Sequence, residues 1–181
     1  LLALSVIPVY TFTDPLWWTM ADDIRLQRQQ QAQAILARVQ EVLPSVLARY
    51  PVVAAYVYGS VARGTVLPTS DVDIALVLTE SLPPYERLQL ELTIEGEVEE
   101  ASGISPVDVR VINDAPLLVK GRILQEGIRV YEGDRQKRIA FEVLTLQQYH
   151  DFQPFIRPLQ RAFLEHLQQT YGPLAHRYGQ S

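Results

Sequence analysis

The chain has 181 residues, of which 48% are hydrophobic and 20% charged, and its formal net charge is −5. A chain of this length buries enough surface to fold as one domain without disulfides or a structural metal. The absence of cysteine excludes disulfides, thiolate zinc sites and cysteine nucleophiles, and the negative charge argues against broad nucleic-acid binding.

The N-terminal segment, residues 1–19, is apolar but differs from a targeting sequence, because no basic stretch precedes it and no small-residue cleavage site follows it. The single methionine, Met20, stands directly before an acidic pair. We therefore expect translation to start at Met20 and residues 1–19 to be an upstream extension; a packing arm and a targeting segment are the alternatives. No apolar run reaches the ~18 residues of a transmembrane helix, so we expect a cytoplasmic protein without a membrane partner.

The first half of the chain alternates helical and strand patterns. Apolar residues at 3- and 4-residue steps predict a helix over 22–43, which Pro44 is expected to break before a short second helix. The β-branched run Val52–Tyr58 predicts a buried strand, and Gly59-Ser60 is expected to end it and to begin a short helix or turn. Alternation over 71–76 predicts a half-buried strand with a polar face at its start.

The next two elements are a helix and a strand. The helix is expected to start at Pro83 with Ser81 as its N-cap and to end near Ala101, before Gly103. Strict alternation over 107–111 predicts a third strand.

The C-terminal part is predominantly helical. Asp114 is expected to cap a helix that ends at Gly127, and residues 128–131 predict a short last strand. A long helical region follows from Gly133, and its two internal prolines are expected to kink or split it. The order of elements predicts an α/β (α+β) fold, with a small mixed sheet and helices on one side of it.

The acidic residues around the second strand carry the chemical signal. Asp71 and Asp73 are two positions apart, so both carboxylates leave the same face of the strand, and Asp108 on the next strand would add a third. Such a cluster is costly unless a cation neutralises it, and carboxylate oxygens suit Mg²⁺. Gly59-Ser60 lies between a strand and a helix start, where backbone N–H groups can hold a phosphate. Together these features predict metal-assisted nucleotidyl transfer.

Each of these features has an ordinary structural interpretation. A Gly-Ser pair after a strand is usually a turn, and an Asp-x-Asp strand is commonly a solvated edge. The two at this spacing would occur by chance in about one chain in 500 of this length, which favours the functional interpretation. Two arginines stay open: Arg63 either steers a phosphate or is solvated, and Arg110 either contacts a phosphate or pairs with a carboxylate.

The spacing Gly59-Ser60, ten residues, Asp71-Val72-Asp73 resembles the signature of the minimal nucleotidyltransferase family, a branch of the polymerase-β-like superfamily. The neighbouring Arg63-Gly64 and Ser70 also match the family pattern. The resemblance implies a polymerase-β-like nucleotidyltransferase domain over residues 20–132, followed by a C-terminal helical extension over 133–181.

The resemblance also implies a role for each motif residue. The nucleotide-binding residues are Gly59, Ser60 and Arg63. The catalytic residues, which also hold the Mg²⁺ ions, are Asp71, Asp73 and Asp108.

The segment from Arg138 to Pro154 resembles the C-terminal helix of MntA-type adenylyltransferase antitoxins. That resemblance implies Mg²⁺ as cofactor, ATP as substrate and a HEPN ribonuclease toxin as partner, which the protein silences by transferring AMP to a tyrosine. The alternatives are a non-catalytic antitoxin that acts by occlusion and an adenylyltransferase of a small-molecule antibiotic. An aromatic and aliphatic stripe in the extension either packs on the core or meets a partner helix; its members are Tyr149, Phe152, Phe155, Leu159 and Phe163.

Overall fold

The computed structural model describes the backbone of residues 15–178 and the side chains of 21–159 and 161–167. The elements are α1 (Pro15–Leu47), β1 (Val52–Tyr58), α2 (Gly59–Arg63), β2 (Val72–Leu78), α3 (Pro84–Ser102), β3 (Val107–Val111), α4 (Leu117–Glu126), β4 (Ile128–Glu132) and α5 (Arg135–Tyr178). The expected upstream extension falls mainly on residues 1–14, which lie outside the described residues, and it stays a prediction.

The four strands form one mixed sheet in the order β3-β2-β1-β4. β1 pairs antiparallel with both β2 and β4, whereas β2 and β3 are parallel. A parallel pair needs a long crossover connection, and α3 supplies it. The predicted small mixed sheet is therefore confirmed, with β1 and β4 each within one residue of the expected bounds.

Helices cover both faces of the sheet, so the expectation of helices on one side is wrong. Residues of α1 and α3 form one core cluster with the sheet, while Ile123 of α4 and Phe141 of α5 pack on the opposite face. For the same reason β2 is not half-buried: it is a central strand, and Asp73 alone among its seven residues is not buried. A strand covered on both faces is apolar on both faces, except where a site requires a polar group.

Prolines do not divide the long helices. α1 continues through Pro44 to Leu47, which corrects the expected break. Proline removes one backbone hydrogen bond, but only the last turn follows it, and the Pro44 carbonyl still accepts a bond from the Ala48 N–H at 3.2 Å. Burial of Leu43 and Leu47 on either side holds that turn against the sheet. α5 likewise runs as one helix through Pro154 and Pro158, so the expected split is absent there.

The two expected N-caps, Ser81 and Asp114, bind each other instead. The Ser81 hydroxyl donates to the Asp114 carboxylate at 2.9 Å, and α3 and α4 begin after Pro83 and Pro116 without a side-chain cap. The reason is topological: β2 and β3 are adjacent and parallel, so the loops that follow them lie side by side. Gly103, by contrast, ends α3 in the left-handed conformation as expected.

Glutamates of α3 bond the outer edge of β3. Val111, Val109 and Val107 donate their backbone N–H groups to glutamate carboxylates at 2.8, 3.1 and 2.9 Å. The acceptors lie four residues apart on one face of the helix, and they are Glu91, Glu95 and Glu99. These bonds satisfy an edge strand that has no further strand partner, and they fix β3 beside β2.

Over the described residues, no helix combines the length and the apolar character needed to cross a membrane.

Candidate active site

A row of polar side chains, hereafter the acidic row, crosses three neighbouring strands at one end of the sheet. Tyr58 of β1 pairs with Asp73 of β2, and Asp73 pairs with Asp108 of β3. Asp71 lies one residue before β2 and is exposed. The structure thus places the predicted third carboxylate in direct register with the Asp-x-Asp motif.

Gly59 lies against the carboxylate of Asp73. Its φ is +69°, and a Cβ added to it would stand 1.9 Å from the Asp73 Oδ2 atom. Both the left-handed backbone and the missing side chain are therefore needed for the motif glycine to approach the carboxylate this closely.

Ser60 and Arg63 follow Gly59 in the short helix α2. The Ser60 hydroxyl oxygen is buried and has no hydrogen-bond partner among the described residues. A buried polar atom without a partner is costly unless a ligand supplies one. Arg63 is more than half exposed, and its guanidinium lies 3.7 Å from the Glu126 carboxylate. Both predicted nucleotide-binding side chains therefore lie beside the acidic row with hydrogen-bonding capacity to offer.

Arg110 links the third carboxylate to the helix behind it. Its guanidinium contacts the Asp108 carboxylate at 2.7 Å and the Glu91 carboxylate at 3.7 Å. Of the two interpretations offered for Arg110, the structure shows the carboxylate pair. The pair orients the Asp108 side chain at the edge of the row.

The crowding of negative charge changes the proton affinities in the row. Burial raises the pKa of Asp73, and the charges of Asp71 and Asp108 raise it further against the opposing charge of Arg63. Burial also raises the pKa of Tyr58 to about 12, with added contributions from Asp73 and Asp108. Tyr58 is therefore a neutral phenol, and the carboxylates repel one another unless a cation is bound.

We expect Asp73→Asn to stabilise the metal-free protein at neutral pH. Because the folded-state pKa of Asp73 lies above its ordinary value of 3.8, the folded chain binds this proton more tightly than the unfolded chain. Protonation of Asp73 therefore stabilises the folded wild-type protein fully below about pH 4, and this contribution to the free energy of unfolding is lost as the pH rises through the raised pKa. Thermal unfolding in EDTA should give the variant a higher Tm than the wild type at pH 7, with a smaller difference near pH 4. A lower Tm for the variant at pH 7 would contradict the charge crowding.

The donor set of the row suits a hard divalent cation. Asp71 and Asp73 offer carboxylate oxygens, and the Asp73 carboxylate lies directly against Gly59, where a Cβ would overlap its Oδ2 atom. In the part of the chain that the structure describes, no three acidic, histidine or cysteine side chains converge closely enough to hold an ion by themselves. Mg²⁺ usually takes one or two protein carboxylates and completes its shell with water and substrate phosphates. The residues therefore fit a metal that binds together with a nucleotide.

A cleft of about 470 Å³ opens beside Gly59. It is lined by Tyr58, Gly59 and Arg63 and by residues of α4 and α5. The residues contributed by the two helices are Leu118, Val119, Arg122, Ile123, Glu126, Tyr149, Gln153, Ile156 and Arg157. This size is ordinary for a small-molecule site, and the cleft adjoins the motif residues directly.

The sequence of the core matches a known family. A profile described as "Polymerase beta, Nucleotidyltransferase" matches residues 41–136, more than half of the chain. The chain belongs to this nucleotidyltransferase family. The matched segment contains the whole acidic row and the motif glycine, so the geometry above is that of a nucleotidyltransferase core.

Solved structures share the fold of this nucleotidyltransferase. A toxin–antitoxin structure with AMP-PNP aligns with a TM-score of 0.51 and 17% identity over 73% of this chain and 97% of the other. A chain from the structure of a tri-AMPylated Shewanella oneidensis HEPN toxin in complex with an MNT antitoxin aligns with a TM-score of 0.50 and 18% identity. The alignment covers 74% of this chain and 98% of the other. At these identities the likeness shows a common fold.

A curated relative shares higher identity over a shorter stretch. A spectinomycin 9-adenylyltransferase of Staphylococcus aureus is 35% identical over 65 residues, which is 34% of this chain and 25% of the relative. The alignment thus spans about a quarter of that enzyme's length.

Sequence reasoning missed the residues that α5 brings to the cleft. Tyr149 was expected in a stripe that packs on the core or meets a partner helix, whereas it lines the cleft of the nucleotidyltransferase. Nothing in the helical periodicity distinguishes a face that lines a site from one that meets solvent. Along the rest of the stripe, Phe152 is exposed by 41%, and Phe155, Leu159 and Phe163 are exposed by 71%, 66% and 62%. The last three therefore do not pack on the described core.

Proposed function

We propose that this nucleotidyltransferase transfers AMP from ATP to a tyrosine of a HEPN ribonuclease toxin and thereby acts as its antitoxin. The observation that carries the proposal is the register of Asp73 with Asp108, with Gly59 against the Asp73 carboxylate. A chain from a complex of a tri-AMPylated HEPN toxin with an MNT antitoxin has the same fold, which supports a protein acceptor.

In the proposed reaction, the acceptor hydroxyl oxygen forms a bond to the α-phosphorus of ATP. The bond between that phosphorus and the oxygen bridging to the β-phosphorus breaks, pyrophosphate leaves, and the hydroxyl proton passes to Asp108. Asp71 and Asp73 would hold Mg²⁺, which supplies charge neutralisation on the phosphates when bound. Gly59 and Ser60 position the phosphates, so that catalysis comes chiefly from orientation and electrostatics.

A protein acceptor has room to approach the acidic row. Another cleft, of about 430 Å³, shares Tyr58 with the first and includes Arg110, the partner of Asp108. It is lined by α3, the end of β3 and the start of α4. The exposed aromatic residues of α5 offer an apolar surface on which a helical partner could pack. We therefore place the acceptor hydroxyl on the Asp108 side of the row.

The test is transfer of label from α-³²P ATP to a co-purified HEPN partner in the presence of Mg²⁺. We expect Asp71→Asn and Asp73→Asn each to lower the rate by on the order of 100-fold or more, since loss of an outer-shell metal partner already costs ~10–100-fold. Asp23→Asn, at an exposed position of α1, is the matched control and should retain the wild-type rate. Mass spectrometry should locate AMP on a tyrosine of the partner. An unmodified partner in a stable complex would favour occlusion instead.

A small-molecule acceptor is the second candidate, because the identity with the spectinomycin enzyme covers 65 residues. The same labelled nucleotide separates the two functions. Incubation with spectinomycin and related aminocyclitols should yield no labelled antibiotic if the acceptor is a protein. Labelled antibiotic at a rate above that of partner labelling would overturn the antitoxin proposal.

A further inference from the structure

The cleft between α4 and α5 is cationic in an acidic protein. Three arginines and one glutamate line it, whereas the chain as a whole carries a net charge of −5. The arginines are Arg63, Arg122 and Arg157. Opposite charge focused in a concave site concentrates anionic ligands there. The cleft is therefore suited to an anion that reaches the site beside Gly59.

The single carboxylate of the cleft is held loosely. Glu126 lies 3.7 Å from the Arg63 guanidinium and 3.5 Å from that of Arg122, beyond the length of a good charge-assisted hydrogen bond. All three side chains are about half exposed or more. A phosphate offers the same arginines shorter and more numerous bonds, so it can replace Glu126 at small cost.

The α5 wall is placed by close packing on α4. Gly121 is buried, and a Cβ at this position would stand 2.1 Å from the ring of Tyr149; the absence of a side chain thus lets the tyrosine ring seat on α4. One turn farther along α5, Arg157 donates to the Gln153 side-chain oxygen at 2.8 Å. Both of these side chains line the cleft. On its cleft side, α5 therefore presents the Gln153 amide and the Arg157 guanidinium, which the hydrogen bond between them orients.

We propose that this cleft binds the nucleoside triphosphate and that Tyr149, Gln153 and Arg157 of α5 are nucleotide-binding residues. The inference rests on the proposed function, and it adds residues that lie outside the family-matched segment 41–136. The cleft offers phosphates its arginines and offers a base the Tyr149 ring and the apolar side chains of α4. In this assignment α5 is part of the active site as well as a surface for a partner.

The experiment is calorimetric titration of the full chain with α,β-methylene ATP and Mg²⁺, an analogue whose α–β link cannot be cleaved in transfer. Arg157→Ala should raise the dissociation constant for the analogue about tenfold, the usual effect of removing one charge-assisted contact. Arg161→Ala is the matched control, because Arg161 lies one turn away on the same helix, is exposed and does not line the cleft; it should stay within about twofold of wild type. Circular dichroism verifies that both variants are folded.

The outcomes separate this inference from the function on which it rests. Absence of binding by the wild type would contradict the proposed function itself. Wild-type binding with equal affinities for the two variants would overturn the role of α5 while leaving the function standing. If Arg157→Ala keeps the nucleotide affinity but loses partner labelling, the cleft serves the protein acceptor, and the inference is likewise wrong.

Discussion

Gly59→Ala should abolish the proposed AMP transfer while the protein stays folded. The substitution places a methyl group 1.9 Å from the Asp73 Oδ2 atom in a backbone conformation with φ of +69°. The backbone strain costs about 1–2 kcal/mol, and the overlap forces the carboxylate away from the position in which it faces Asp108. Displacing the carboxylate that is proposed to hold the metal by about 1 Å is expected to lower the rate by on the order of 100-fold or more. Labelled-ATP transfer at saturating nucleotide measures the loss.

Gly103 provides the control for backbone strain. It ends α3 with φ of +71°, and a Cβ there would meet nothing within 4 Å. Gly103→Ala should therefore lower the unfolding free energy by about the same 1–2 kcal/mol and leave the transfer rate unchanged. Equal losses of activity in the two variants would show that general destabilisation, rather than displacement of Asp73, explains the Gly59 result.

Gly121→Ala should destabilise the protein through the α4–α5 contact. The added Cβ would stand 2.1 and 2.2 Å from the Cδ2 and Cγ atoms of Tyr149, and overpacking of this kind costs about 1–3 kcal/mol. A loss of about 2 kcal/mol corresponds to a fall in Tm of roughly 4–8 °C for a chain of this size. Gly96 is the control: it lies within α3 with nothing within 4 Å of its Cβ position, so Gly96→Ala should instead stabilise by about 0.5–1 kcal/mol through helix propensity.

A double-mutant cycle with Tyr149→Ala identifies the contact. Without the ring, the two closest contacts of the methyl group added at Gly121 are gone, while the Cβ atom of residue 149 stays 2.8 Å away. Part of the cost of Gly121→Ala should therefore disappear in that background. We expect a coupling energy of about 1–2 kcal/mol from denaturant unfolding of the four proteins. Additive effects would show that Tyr149 does not seat against Gly121.

Local sequence determined the strands and the motif that joins them. The β-branched run of β1 and the alternation of β3 are intrinsic to short segments, because each follows from side chains on successive residues of one strand. The positions of Gly59-Ser60 and of the Asp71 and Asp73 pair relative to the strands likewise follow from the neighbouring residues in the sequence. These features can be predicted without any knowledge of contacts between distant segments, and the structure confirms the strands and the short helix α2.

Apart from the predicted approach of Asp108 to Asp71 and Asp73, tertiary structure decided which distant residues meet. The parallel, in-register pairing of β2 and β3 brings Asp108 opposite Asp73. Glutamates of α3 bond the outer edge of β3, and nothing in the sequence pattern predicts those bonds. Ser81 and Asp114 bond each other because two loops follow neighbouring strands. Tyr149 and Arg157 reach the cleft because Gly121 lets α5 pack closely on α4. Helical periodicity fixes which residues share a face, whereas the neighbour of that face depends on the packing of the whole chain.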